Sequence, residues 1–254
     1  MHPKQTLIFG LRPVIEALES GKEFEKVFVQ TNLQGPLSKE LQFLLREHKV
    51  SCQYVPIEKL DRLTRKNHQG VVAYLSEITY HKIDNLLPSV FEKGTAPLFV
   101  MLDEITDVRN MGAIIRTAEC AGADGVIVPQ KGSAQINAET MKASAGALNI
   151  IPVCREENLR DTVNFLKSSG LQVVACTEKS DELYTNTDFS LPTVLIMGSE
   201  GTGISSELLR LSDKQVRIPM QGKIDSLNVS VSAGIILYEA VRQRIIQNEK
   251  QEKR

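Results

Sequence analysis

The side chains best placed to do chemistry are an arginine, a glutamate, a serine and two asparagines, set in three short stretches of the second half of the chain. Asn110 and Arg116 lie six residues apart in a segment that follows the apolar run 98–101 and reads as a polar loop entering a helix. Arg116 sits among Ala113, Ile114, Ile115 and Ala118, company that a merely solvated arginine does not need. Fewer than two helical turns separate it from Asn110, so its guanidinium is expected to reach back toward the loop above the strand end. Glu200 lies in Gly198-Ser-Glu-Gly-Thr-Gly-Ile-Ser205, a turn whose glycines would let backbone N–H groups approach a ligand closely. Ser226 and Asn228 put a hydroxyl and an amide at the mouth of an apolar helix that opens at Val229, after a turn marked by Pro219 and Gly222. A capped, buried helix would account for the last stretch alone; the three together call for a ligand site.

Several other chemistries drop out. The glycine-rich turn has the outline of a phosphate-binding loop, but Ile204 stands where that loop needs lysine. No G-x-G-x-x-G follows a strand, so no dinucleotide fold is indicated. Cys52, Cys120, Cys154 and Cys176 are far apart and read as buried thiols. His2, His48, His68 and His81 all fall in the first third of the chain, so no metal site is expected among the three stretches.

The elements that must position these residues alternate. In the second half, apolar runs at 98–102, 125–128, 149–153, 171–176, 194–197 and 215–218 read as strands separated by helical stretches, which predicts an α/β fold with a parallel sheet. In such sheets ligands bind beyond the carboxyl ends of the strands, where all three stretches begin. The first 80 residues alternate too, with helices at 13–19, 37–48 and 57–66 and strands at 26–30, 51–55 and 71–75, and read as a small α/β unit. Residues 81–97, with Pro88, Gly94 and Pro97, read as a linker with one short helical turn, and the polar residues 247–254 as a fraying end.

The 254 residues are 42% hydrophobic and 24% charged, an ordinary globular balance. The start carries no signal-peptide pattern and no apolar run is long enough to span a membrane, so a cytoplasmic setting without a membrane partner is expected. A formal net charge of −1 argues against a broadly basic nucleic-acid binder and leaves only local patches. One such patch is Lys59, Arg62, Arg65, Lys66 and His68, which could equally be a solvated helix face.

Together, Asn110, Gly112 and Arg116, then Gly198, Glu200 and Gly203, then Ile218, Pro219, Met220, Gly222, Ser226, Leu227 and Asn228 resemble the three motifs of the SpoU (TrmH) family of RNA ribose 2′-O-methyltransferases, within the SPOUT superfamily. The resemblance covers residues 98–244 and departs at Val108, where the family usually has proline. The first 80 residues, through Phe9-Gly-Leu-Arg12 and Asn67-His-Gln-Gly70, resemble the L30e-like substrate-binding domain of some members, most like the 23S rRNA guanosine 2′-O-methyltransferases.

The resemblance implies an L30e-like RNA-binding domain over residues 1–80, the linker 81–97, and a methyltransferase domain over 98–254 containing a deep trefoil knot. It implies S-adenosylmethionine as methyl donor, without a metal, held around Gly198, Ile218, Met220 and Leu227. It places Arg116 at the ribose hydroxyl, with Asn110, Glu200, Ser226 and Asn228 completing the catalytic set, and makes Arg12, Arg65 and His68 candidate RNA contacts. It also implies a homodimer, with the helix 233–238 as interface candidate. A tRNA enzyme, or a non-catalytic RNA-binding or ribosome-assembly factor on the same scaffold, are the alternatives.

Overall fold

Runs of β-branched residues alternating with amphipathic stretches produce two sheets, one in each of two compact units. The computed structural model describes residues 6–252, so the start of the chain and its last two residues lie outside the described residues. The units comprise residues 6–79 with Ile136–Ala138, and residues 80–135 with 139–252.

The first unit runs β1 (Leu7–Phe9), α1 (Leu11–Glu19), β2 (Phe24–Gln30), α2 (Pro36–Glu47), β3 (Cys52–Val55), α3 (Ile57–Leu63) and β4 (Val71–Leu75). Its strands are ordered β1-β4-β2-β3, with β2 and β3 parallel and the other pairs antiparallel. The two-residue period of the strands divides their side chains between two cores. Val27, Val29, Val71 and Ala73 meet α1 and α2 through Val14, Leu18, Leu41 and Leu45, while Phe28, Val55 and Val72 meet Leu60 of α3. Strand β1 is too short for its pattern to be legible in sequence. Helix α3 stops three residues earlier than expected, because Thr64 turns extended (φ −152°, ψ 136°).

The second unit runs α4 (Ile83–Phe91), β5 (Leu98–Leu102), α5 (Val108–Cys120), β6 (Gly125–Pro129), α6 (Ala138–Ala143), β7 (Val153–Glu156), α7 (Leu159–Ser168), β8 (Gln172–Cys176), β9 (Thr193–Met197), α8 (Ser206–Leu211), β10 (Lys214–Val216) and α9 (Val229–Glu252). All six strands are parallel, in the order β10-β8-β9-β5-β6-β7. The two central strands, β5 and β9, are buried along their whole length, which is why they read as unbroken apolar runs.

Three segments differ from the sequence reading. Residues 81–97 are not a bare linker: His81 pairs beside Cys154, and α4 sends Ile83, Leu87 and Val90 into the core of the second unit. In the run at 149–153, Asn149 ends a short 3-10 turn (Ala147–Asn149), residues 150–152 are irregular, and the strand begins only at Val153, because Pro152 has no N–H to give a ladder. Helix α9 continues through Glu252, past the polar stretch expected to fray.

Arg244 of α9 shows how the helix is tied down. Its guanidinium donates to the carbonyls of Ala96 (2.6 Å), Pro97 (3.0 Å), Phe189 (3.0 Å) and Leu191 (3.2 Å), at the starts of β5 and β9. Burial pushes its pKa below the ordinary arginine value, which is high enough for the charge to persist. Arg244→Met is expected to cost about 3 kcal/mol, because several carbonyls lose a charged donor at once. The check is the urea midpoint; a midpoint equal to that of the parent protein would show that water replaces the guanidinium without penalty.

Candidate active site

The site is assembled where β5, β9 and the segment before α9 end. After β5, Asp107 caps α5 by accepting the N–H groups of Arg109 (2.8 Å) and Asn110 (3.0 Å), and these bonds hold its carboxyl below the ordinary carboxylate range. Val108 is the first helical residue. Proline suits that position because the N–H there lacks a helical partner in any case, so valine leaves the helix start intact.

After β9, Ser199 and Gly203 pair back on each other through two backbone hydrogen bonds (3.1 and 3.0 Å), closing a tight turn with Gly203 at φ +72°. A Cβ on Gly198 would fall on the backbone of Gly203 and Ile204. The glycine is therefore required by the turn itself, where the sequence reading assigned it to close approach of a ligand. The turn is held from β5 as well: Asp103 Oδ2 accepts the N–H of Ser205 (2.7 Å), and Glu104 Oε2 accepts the hydroxyl of Thr202 (3.2 Å). Sequence reasoning missed both carboxylates. Their only signal is that they follow the last residue of a buried strand.

These loops bring three of the predicted residues into one hydrogen-bonded triangle. Glu200 Oε1 accepts from Asn110 Nδ2 (3.0 Å) and from Asn228 Nδ2, and Asn228 Nδ2 also donates to Asn110 Oδ1 (3.0 Å). Asn228 also caps α9, its Oδ1 accepting the N–H of Ser230 (3.0 Å). The capping and site readings of this residue therefore hold together. Glu200 does not cap α8, where Asp103 binds Ser205 instead.

The triangle borders a cavity of 570 Å³. Gly198, Ile218, Met220 and Leu227, the four residues expected around a cofactor, all line it. So do Glu200, Ser226 and Asn228. Thr177, after β8, adds a wall that the sequence reading did not include. Such a space, lined about equally by apolar side chains such as Ile218, Met220 and Leu227 and by polar groups, suits a small organic ligand that has both kinds of surface.

Arg116 does not join this group. It is exposed, lies outside the cavity lining, and has no side-chain hydrogen bond or ion pair among the described residues. Six residues at about 100° each carry it about 120° around α5 from Asn110, so the expected reach back toward the loop does not occur within one chain. Around it, α5 packs on α9, with Thr117 close to Gly234.

In the first unit, Arg12 and Arg65 are exposed, but His68 is 7% exposed. Its Nδ1 accepts the N–H of Gly70 (3.0 Å), which leaves Nε2 to donate to Asp61 (3.0 Å). Both ring nitrogens are thus committed to holding the 67–70 turn, and none is left for RNA. His68→Ala is expected to cost about 1–2 kcal/mol of stability, read as a lowered unfolding midpoint, while RNA affinity at a temperature where the variant stays folded is unchanged. A specific loss of RNA affinity would restore His68 as a contact.

The cysteines divide likewise. Burial pushes the Cys154 thiol up to about 12 and raises Cys176 as well, whereas Cys52 and Cys176 keep some exposure and Cys120 is exposed rather than buried.

The sequence model of the SpoU rRNA Methylase family matches residues 97–238, and that of the RNA 2′-O ribose methyltransferase substrate binding domain matches residues 7–81. A TrmH family tRNA/rRNA methyltransferase of Bacillus subtilis is 35% identical over 244 residues, covering 96% of this chain and 98% of that protein. The AdoMet-bound rRNA methyltransferase from Sinorhizobium meliloti superposes with a TM-score of 0.60 at 31% identity, covering 93% of this chain and 86% of that one. The A. aeolicus TrmH/SpoU tRNA modifying enzyme gives 0.56 at 31% identity, covering 65% of this chain and 86% of that one. With the motif residues gathered at the strand ends of a parallel sheet, these likenesses place the chain in the SpoU (TrmH) family of RNA methyltransferases.

Proposed function

We propose that the protein transfers a methyl group from S-adenosylmethionine to a ribose 2′-hydroxyl of RNA, with guanosine of 23S ribosomal RNA as substrate. The observation that carries this is the Asn110–Glu200–Asn228 triangle on the rim of the cavity, which unites the three motif loops in one site. The cavity fits the donor. Ile218, Met220 and Leu227 offer apolar walls for an adenine, and Gly198 lies on the same lining. When bound there, S-adenosylmethionine supplies an electrophilic methyl on a sulfonium. The carbon–oxygen bond would form as the carbon–sulfur bond breaks, S-adenosylhomocysteine being the leaving group and water taking the hydroxyl proton; the chain's own part is to align the ribose oxygen. The triangle orients the ribose edge, with the Ser226 hydroxyl beside it.

Arg116 then acts as the group at the 2′-hydroxyl. A guanidinium is a poor base at neutral pH, so this side chain serves by binding the adjacent phosphate and stabilising the alkoxide as it develops. Its position away from the cavity of its own chain supports a homodimer in which it faces the partner's site. Within the helix segment 233–238, Ala233, Ile236 and Leu237 are already core; the interface candidates on α9 become the exposed Val231 and Tyr238. The chain after β9 that builds the cavity is read as the knotted segment that the family resemblance implies. Arg12 and Arg65 are the remaining RNA contacts of the first unit.

Ribosomal RNA is preferred because the likeness to the rRNA enzyme extends over both units, whereas that to the tRNA enzyme covers 65% of the chain. The test is to incubate the protein with methyl-labelled S-adenosylmethionine and separated rRNA and tRNA from cells lacking its gene, then digest and look for labelled 2′-O-methylnucleosides. Label in rRNA supports the proposal, and label in tRNA moves the substrate while keeping the chemistry. No label in either RNA or in ribosomal precursors favours a binding or assembly factor.

A further inference from the structure

The face of the first sheet that carries α3 holds an arrangement of cations that the proposed chemistry does not use. Strand register places Phe9, Val72 and Phe28 side by side on this face, with Leu7, Tyr74 and Lys26 in the adjoining row. Lys26 Nζ lies 5.3 Å from the centre of the Phe28 ring and Lys59 Nζ lies 5.1 Å from the same ring. Lys66 Nζ stands 5.6 Å from the Phe9 ring. Neighbouring strands are about 4.8 Å apart, so the two rings that flank Val72 lie about 10 Å from one another. Tyr74 meets Phe28 edge-on, with ring centres 6.5 Å apart, and fixes the ring on which two ammonium groups rest.

Like charges gathered this closely repel, and the attraction of each for a ring face is worth only about 0.5–1 kcal/mol at an exposed site. A carboxylate would be the usual remedy. Three lysines of the second unit have one: Lys82 pairs with Glu156, Lys93 with Asp124 and Lys167 with Asp213. Among the described residues, Lys26, Lys59 and Lys66 have no such partner. In a chain whose formal net charge is −1, the fold has collected three unneutralised cations over a rigid aromatic base. The rings hold the lysine stems in place, so less side-chain freedom is left to lose when an anion arrives.

We infer that this face binds the phosphate backbone of RNA, with Lys26 and Lys59 as a pair converging on one phosphate and Lys66 meeting a neighbouring one. The inference rests on the reading of the protein as an RNA-directed enzyme, whose substrate-binding match spans residues 7–81 and so includes every residue named. It assigns the grip to the α3 face of the sheet, in addition to Arg12 and Arg65. Contacts of this kind are indifferent to base identity, so they position the RNA without selecting its sequence.

The test measures binding of a fluorescein-labelled single-stranded RNA to the full chain over a series of salt concentrations. Each phosphate contact contributes about 0.7–0.9 to the slope of log K against log salt. The Lys26→Gln/Lys59→Gln variant is expected to lower that slope by about 0.7, the share of the one phosphate the pair holds on a single strand, while Lys26→Arg/Lys59→Arg keeps the parent slope. Lys22→Gln/Lys39→Gln removes the same charge from elsewhere in the unit and should change the slope little. Unaltered affinity for S-adenosylmethionine and an unaltered thermal midpoint confirm that the variants are folded. An unchanged slope in the Lys26/Lys59 variant, or equal falls in both glutamine variants, overturns the inference; so does loss of binding to polyglutamate with RNA binding intact, which would assign the face to an acidic protein. If the parent protein methylates RNA and the slope does not respond, this inference alone falls. A parent protein that neither methylates nor binds RNA removes the functional reading with it.

Discussion

Arg116→Ala is expected to lower methyl transfer to RNA by about 10²–10³-fold while leaving the affinity for S-adenosylmethionine unchanged. The two halves of this expectation have separate grounds. The fall in rate follows from removing the cation that the proposed function puts at a developing alkoxide, an interaction made mainly in the transition state. The unchanged donor affinity follows from geometry, because Arg116 does not line the cavity and has no side-chain bond to the residues that do. Arg116→Lys should restore little of the rate, since an ammonium cannot reproduce the planar, two-pronged geometry of a guanidinium. Single-turnover rates with saturating donor, set beside a calorimetric donor titration, separate the two effects. A parallel loss of donor affinity would show that Arg116 shapes the cavity; an unaltered rate would remove it from the chemistry.

The second large effect is expected at Gly198. A methyl group there meets the backbone of Gly203 and Ile204, and backbone closed by the Ser199–Gly203 hydrogen bonds has no rotamer by which to give way. Gly198→Ala should therefore cost about 3 kcal/mol of stability, at the upper end of ordinary overpacking. Because Gly198 and Glu200 both line the cavity, the displaced turn should also weaken donor binding by at least about tenfold. Gly222→Ala provides the contrast, for a Cβ at that position meets nothing within 4 Å. Urea unfolding and donor titration of both variants decide the matter. If Gly198→Ala binds the donor like the parent protein, the turn is more compliant than its packing indicates.

The parallel sheet of the second unit, and the position of the three polar stretches beyond its strand ends, were legible in the chain alone. Apolar runs such as Leu98–Leu102 and Thr193–Met197 are buried on both faces, and that requirement writes itself locally into sequence. The short β1 and the helix α4 escaped because neither declares itself locally. A three-residue strand has too few positions to show a period, and α4 carries Pro88 within it. The resemblance to the three family motifs likewise named Asn110, Glu200 and Asn228. Their mutual hydrogen bonds join residues 90 and 28 positions apart in the chain, and only folding sets those distances.

Tertiary structure alone decided three further points. Packing buried His68 and engaged both its nitrogens, so a residue that reads as part of a basic patch became a support for its own turn. The 100° step of α5 turned Arg116 away from Asn110. The pairing of β1 and β2 on either side of β4 brought Phe9 and Phe28 onto one face, gathering lysines from β2, α3 and the following turn. In each case the residue type was visible from the start. Its direction and neighbours were not, because these follow from how helices and strands pack across long stretches of chain.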